Sequence, residues 1–386
     1  MLQPTTPPPI TTALAVLGRS MWSSCCGLGR EARLYRDSRR LRDRASGRHA
    51  VCRVRRTSLF FGRLHAGCRG DRLRKGWRWR MQTTINRRTA LGLGGAAAML
   101  VAAPSALAQQ PAPPAPRVKG PRVWLDLDQT DLDAAYDQSV YAPNLQQIIR
   151  RYATNSDGVR ARLGAPRRYA YGPTPIEGLD VYPTKRANAP INVFVHGGAW
   201  RTGVAKDNAF PAELFVHAGA HYVVPDFVGV EDVGGSLMPM AEQVRRAVAW
   251  VYRNAHTFGG DPNRLYVSGF SSGGHLAGVV LTTDWAREFN LPADTVKGGL
   301  CGSGMFDLKP VRLSARSRYI KFTDEMEQAL SPQRHLDKLN APLVVAYGTF
   351  ETPEFQRQSR DFAAAVKAAG KPVQLLVGEG YNHFEM

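Results

Sequence analysis

Ser271 lies in the run Gly269-Phe270-Ser271-Ser272-Gly273, and nine histidines and 32 carboxylates are available in the chain to activate it. A G-x-S-x-G run does chemistry where a strand turns sharply into a helix, because that turn pushes the hydroxyl into the open. Leu265-Tyr266-Val267 before it has strand character, and residues 275–282 (HLAGVVLT) have helical character. Small residues beside the serine let neighbouring backbone approach, and the helix start adds partial positive charge. Ser268 ends the strand and Ser272 begins the helix, so Ser271 is the candidate nucleophile.

A serine needs a base, and the base needs an acid. In a strand–turn–helix setting of this kind the chain order is Ser, acid, His. Of the histidines, His275, His335 and His383 follow Ser271. His275 falls in the helix after the turn, where its ring packs, and His335 falls in a polar surface segment. His383 follows the last strand through Gly378-Glu379-Gly380-Tyr381-Asn382, a loop that returns it over the strand ends. For the acid, Glu351 lies in the loop beyond strand 343–347. Asp307 is a weaker candidate after the preceding strand, and Asp361 belongs to a solvated helix face. Acyl transfer also requires N–H donors for a developing oxyanion. His196-Gly197-Gly198-Ala199-Trp200 supplies an unobstructed backbone after a strand, so the N–H groups of Gly198, Ala199 and Ser272 are assigned to that hole.

The elements that must position these groups follow from apolar patterning. Short β-branched runs at 191–195, 221–224, 265–268, 296–301, 343–347 and 373–377 alternate with helical patterns. Met240, Val244, Val248 and Val251 form one stripe at helical spacing, read as core packing, and 354–369 is a further helix. Residues 168–171 and 178–182 read as a hairpin, and 132–152 as one helix. Strands alternating with helices imply a mostly parallel central sheet with helices on both faces. Residues 305–340 are expected to contribute a small cap over the site.

The formal charge of +19 does not belong to this part. Residues 1–80 hold 19 Lys+Arg against Glu31, Asp37, Asp43 and Asp71, and Arg87 and Arg88 add two more, leaving +2 for residues 109–386. The basic segment lacks the regular aromatic interleaving or the repeat that a dedicated binding arm would show, so no nucleic-acid partner is expected. Residues 1–80 have no sustained periodicity and read as a disordered or untranslated leader. From Met81, two arginines, an uncharged Gly/Ala/Leu run and Ala106-Leu107-Ala108 make the pattern of a twin-arginine export signal cleaved after residue 108. Its apolar run is too short for a stable membrane anchor. Residues 109–124 form a Pro-rich linker, and 125–386 the catalytic domain. Cys25, Cys26, Cys52 and Cys68 fall in the leader. Cys301, alone in the body, reads as a small buried residue, and no Cys/His cluster has metal spacing.

Together, His196 to Trp200, Gly269 to Leu276 (GFSSGGHL), Glu351-Thr-Pro-Glu-Phe-Gln-Arg-Gln-Ser359, Asn382-His383-Phe384-Glu385 and Leu132-Asp-Ala-Ala-Tyr136-Asp-Gln-Ser139 resemble the hormone-sensitive-lipase-type esterases. Within them the resemblance is to the arylformamidase (kynurenine formamidase) group. It implies an α/β-hydrolase fold over about 125–386 and an acid at the position of Glu351. Two departures stand out: Phe270 occupies a position where family members commonly carry His, and the chain ends at Met386, where relatives usually continue. The expected reaction is hydrolysis of small carboxylic esters through an acyl-enzyme, with aryl formamides such as N-formyl-kynurenine as the alternative substrate and no cofactor. A binding protein on a hydrolase scaffold would be expected to lack a member of the triad. Export favours the ester; the local motifs favour the formamide.

Overall fold

The computed structural model describes residues 118–386. The leader, the export signal, most of the Pro-rich run and the four leader cysteines lie outside the described residues. Eight strands form one sheet: β1 Arg167–Ala170, β2 Gly178–Tyr182, β3 Ala189–Val195, β4 His221–Pro225, β5 Gly260–Phe270, β6 Gly299–Gly302, β7 Leu343–Gly348 and β8 Val373–Gly378. Their order across the sheet is β8-β7-β6-β5-β3-β4-β2-β1. β2 pairs antiparallel with β1 and β4, and every other neighbour is parallel. β3 has β4 on one side and β5 on the other, so the strand order reverses there. A crevice opens beyond the carboxyl ends of strands at such a reversal, which is where open α/β sheets bind ligands.

Four longer helices cover the sheet: α1 Leu145–Leu163, α2 Met238–Asn254, α3 Ser272–Leu281 and α4 Pro353–Ala368. Burial divides them between two faces. Ile191, Val193, Val195, Leu265, Val267 and Val345 belong to one large core with Val244 and Val248 of α2, Leu276 of α3 and Phe355 and Phe362 of α4. The apolar stripe of α2 is thus packed on the sheet. A smaller core on the opposite face joins Tyr182, Tyr222, Val224 and Tyr266 to Val159 of α1 and to Phe215. Cross-strand register aligns Phe194, Ser268 and Leu300 in one row, and Phe270, Gly302, Ala346 and Leu376 in a row two residues on. Residues two apart point the same way, so both rows share this second, more thinly covered face.

Three expectations need correction. Residues 132–152 do not make one helix: a helix at Gln129–Ala135, a 3-10 turn at Gln138–Tyr141 and α1 replace it. The side chain of Asp137 accepts from Ser139 N at 3.0 Å and restarts the chain, and Pro143 disfavours helical geometry at Ala142. The Pro-rich linker ends earlier than 124, because Arg122–Trp124 forms a two-stranded ribbon with Leu127–Asp128. Gly120 N donates to Asp128 Oδ2 at 2.7 Å, and Val123 and Trp124 pack on the large core, which ties the segment down. The strand read from residue 296 begins at Gly299.

Candidate active site

Ser271 occupies the turn between β5 and α3 with φ 59° and ψ −127°. A non-glycine residue holds such a conformation only when its surroundings enforce it. Here they do. A Cβ at Gly269 would collide with the carbonyl of Gly273, and one at Gly273 with the carbonyls of Val195 and His196. The turn is therefore seated against the end of β3, and only glycine permits the approach. Ser271 N donates to Gly302 O at 2.8 Å, which pins the other side of the turn to β6.

The loop after β8 brings His383 to this serine. Its Nε2 stands 2.9 Å from Ser271 Oγ, and its Nδ1 stands 3.0 Å from Glu351 Oε2. With Nδ1–H donating to the carboxylate, Nε2 is left to accept the serine proton. The ring is 4 % exposed and is enclosed by three aromatics: Phe270 at 4.9 Å, Phe355 at 5.0 Å and Phe384 at 5.2 Å between centroids. Phe270, the departure from the family pattern, is thus one wall of the histidine's enclosure. The loop itself is fastened to the N-terminal segment. Tyr152 OH donates to Phe384 O at 2.6 Å, and Asn144 Nδ2 donates to Glu385 Oε1 at 2.6 Å.

Glu351 is buried beyond the end of β7. While Oε2 faces His383, Oε1 accepts from Ser303 Oγ at 2.5 Å and from Gly348 N at 2.7 Å. Sequence reading did not find Ser303, which is fully buried just after β6 at φ 49°. It also missed what the early motif does. Gln138 Oε1 accepts from Thr352 N at 3.1 Å, Thr352 Oγ1 donates to Ala135 O at 2.7 Å, and Tyr136 OH donates to Glu354 Oε1 at 3.1 Å. The segment around Tyr136 therefore clamps the loop that carries Glu351. Burial pushes the Tyr136 phenol well up, keeping it a neutral donor.

The other candidates are occupied elsewhere. Asp307 caps a helix through Lys309 N at 3.1 Å and pairs with Arg334 at 3.2 Å. Asp361 pairs with Arg357 at 2.6 Å. His275 is buried; its Nδ1 accepts from Trp200 Nε1 at 3.1 Å, its Nε2 donates to Leu330 O at 2.7 Å, and burial pushes its pKa down to about 4. His335 is half-buried, its Nε2 2.7 Å from Gln328 O. Cys301 is buried, and burial pushes its thiol up.

The loop after β3 runs through left-handed backbone at Gly198 (φ 126°), Ala199 (φ 57°) and Trp200 (φ 62°). Gly198 O accepts from Arg201 N and Thr202 N, both at 3.0 Å. In a trans peptide the N–H points opposite its C=O, so Ala199 N–H is turned away from that hairpin. Ser272 N–H opens α3, where helix geometry leaves it without an intrahelical acceptor.

A cavity of about 1190 Å³ adjoins Ser271. Gly198, Ala199 and His383 line it beside the serine, and from Phe270 it follows the thin face of the sheet past Leu300, Ala346 and Leu376. Its outer walls come from α1 and the segment before it and from the loop after β3, including Tyr136, Ile149, Tyr152 and Phe210. Of the expected cap at 305–340, Arg316 alone reaches this cavity; that segment packs mainly on the large core through Leu308, Val311 and Ile320. No group of three or more His, Cys, Asp or Glu among the described residues has a metal-holding arrangement. No described helix is long and apolar enough to cross a membrane.

Comparison with known proteins fits this geometry into a family. The chain is 30 % identical over 278 residues to kynurenine formamidase of Salmo salar, an alignment spanning 68 % of this chain and 92 % of the relative. The chain belongs to the kynurenine formamidase family of α/β-hydrolases. Residues 179–299 match the BD-FAE family model. An isoprenylcysteine alpha-carbonyl methylesterase of Arabidopsis thaliana is 24 % identical over 57 % of this chain and 56 % of its own length. A crystal structure from Silicibacter sp., described as a thioesterase, superposes with a TM-score of 0.58 at 21 % identity, covering 66 % of this chain and 92 % of that one. It speaks for the fold. With these relatives the protein is a serine hydrolase of the carboxylesterase and formamidase type.

Proposed function

We propose that the protein hydrolyses small carboxylic esters by acyl transfer, with Ser271 as nucleophile, His383 as base and Glu351 as the acid that orients and compensates it. The observation that carries this reading is the unbroken line from Ser271 Oγ through His383 to Glu351 at the wall of the cavity. His383 Nε2 takes the serine proton as Oγ bonds to the carbonyl carbon. The N–H groups of Gly198, Ala199 and Ser272 receive the oxyanion. The imidazolium returns its proton to the leaving oxygen as the ester bond breaks, and water then repeats the sequence on the acyl-enzyme.

Purified protein should turn over p-nitrophenyl acetate, and a fluorophosphonate probe should label Ser271 and no other serine. Labelling elsewhere, or an unlabelled yet active enzyme, would sink the assignment. Aryl formamides are the second reading, favoured by the match to a kynurenine formamidase over nearly its whole length. The same proton transfers would then release an aromatic amine and formate. Turnover of N-formyl-kynurenine above that of the ester would put this reading first.

We further propose that the protein is exported to the periplasm or beyond and cleaved after Ala108. Arg87 and Arg88, the uncharged run that follows them and Ala106-Leu107-Ala108 support this. Replacing both arginines with lysine should hold the precursor in the cytoplasm. A native protein whose N-terminus lies upstream of residue 109 would end the export reading and favour a cytoplasmic formamidase.

A further inference from the structure

Arg316 is a half-buried cation with no carboxylate beside it. Its neighbours differ in this respect. Arg201 pairs with Glu231 at 2.9 Å, Arg312 with Glu327 at 3.2 Å, Arg318 with Asp133 at 3.6 Å and Arg334 with Glu327 at 2.6 Å. Arg316 instead donates to two neutral acceptors, Tyr319 OH at 2.7 Å and Tyr136 O at 3.0 Å, with its guanidinium 5.6 Å from the centroid of Trp200. Among the described residues it makes no ion pair, and its buried Nε has no hydrogen-bond partner.

Its position gives that charge a use. Arg316 lines the cavity of Ser271 and also an adjoining hollow of about 550 Å³, and Ala199 of the oxyanion loop lines both. Of the three acids lining this cavity, Asp137 accepts from Ser139 Oγ at 2.6 Å, Glu385 accepts from Asn382 N at 3.0 Å, and Asp207 lies in the 3-10 turn Ala205–Asn208. A guanidinium fixed on neutral acceptors and an aromatic face keeps free N–H groups in the planar arrangement that carboxylates match. The sheet wall of the cavity, along Leu300, Ala346 and Leu376, is apolar.

We propose that Arg316 is a specificity-determining residue that selects substrates bearing a carboxylate, the neutral part lying along the sheet and the anion at Arg316. This rests on hydrolysis at Ser271, so the test separates the two. Each of two matched pairs isolates one charge: 4-acetoxybenzoate against its methyl ester, and 4-nitrophenyl hemisuccinate against its methyl ester. The first pair puts the anion on the leaving group, the second on the acyl group. In at least one pair, wild-type kcat/KM should favour the anion by about tenfold or more at low salt, and the preference should shrink as salt rises. Arg316→Gln should bring that ratio near one and Arg316→Lys should restore part of it. Using the ratio cancels any uniform loss caused by loosening Tyr136 or Trp200. A wild-type ratio near one in both pairs overturns the proposal even if Arg316→Gln fails to fold. So does a ratio that Arg316→Gln leaves intact. Hydrolysis of neither member of either pair, with no probe on Ser271, removes the reading of the site and this inference with it.

Discussion

The cluster around His383 and the trough beside it meet at Phe270, yet they are held by opposite means. In the cluster polar atoms hold one another: both oxygens of Glu351 have donors, and His383 is fixed at both nitrogens. Along the trough, Leu300, Ala346 and Leu376 offer shape without a polar handle, and the cations Arg150 and Arg316 line the same cavity. That division leaves the choice between an ester and a formamide to the walls. Chemistry is set by the cluster, where a small displacement is costly, whereas selectivity is set by walls that can vary without disturbing it.

If that division holds, damage to the cluster should dominate every other change. Ser271→Ala should lower kcat by about 10⁵-fold or more while the thermal midpoint stays near that of wild type. Activity persisting at several per cent of wild type would move the chemistry elsewhere. Glu351→Gln keeps the shape but loses the charge facing His383, and a drop of about 10³–10⁴-fold in kcat is expected. Asp307→Asn, far from His383 in its bonding, should cost much less. A reversal of that order, in folded proteins, would exchange their roles.

The wall side has polar anchors too, and acid should find one of them. His275 holds Trp200 beneath Arg316, and it does so as a neutral ring whose pKa is pushed down to about 4 by burial. In the unfolded chain the same imidazole titrates near its ordinary value of about 6.5. Above that value neither state binds the proton and His275 contributes no pH dependence. As pH falls from 6.5 towards 4, the unfolded state gains a proton that the folded state refuses, so stability declines, by about 3 kcal/mol at the lower end. Denaturant midpoints measured at pH 7 and 4.5 should show this slope, and His275→Gln should flatten part of it. An unchanged slope in the variant would mean that other groups carry the acid sensitivity.

The two regions also differ in how far they can be read from residues alone. The turn at Ser271 was legible because Gly269 and Gly273 answer a local steric demand, and chain order pointed to His383 and Glu351. The break at Ala142-Pro143 was written in the sequence too, but apolar spacing across 132–152 outweighed it. Ser303 left no such mark: a single serine after a strand matters only because β6 lies beside β7, a fact of sheet order. The trough is similar, since Phe270, Ala346 and Leu376 become neighbours only through register across three strand pairings. The cap was placed at 305–340 by its position in the chain, whereas the covering walls come mostly from residues around α1, far away in sequence.

Ser303 offers the finest test of the boundary between the regions. Its hydroxyl donates to the Glu351 oxygen that does not face His383, sharing that oxygen with Gly348 N. Ser303→Ala removes one of two donors and leaves the other, so Glu351 stays charged and partly held. Its Oε2 is then freer to swing away from His383 Nδ1. A hydrogen bond to a charged group contributes on the order of 1.5–3 kcal/mol, and with Gly348 still in place the lower end applies. That corresponds to about a tenfold fall in kcat. Ser303 does not line the cavity, so KM should change little, by less than about twofold. Ser303 is a positioning residue on this account, and a merely structural role would instead lower the thermal midpoint with kcat intact. An equal loss in kcat and rise in KM would show that the cluster and the walls are coupled through β6, and the division between them would fail.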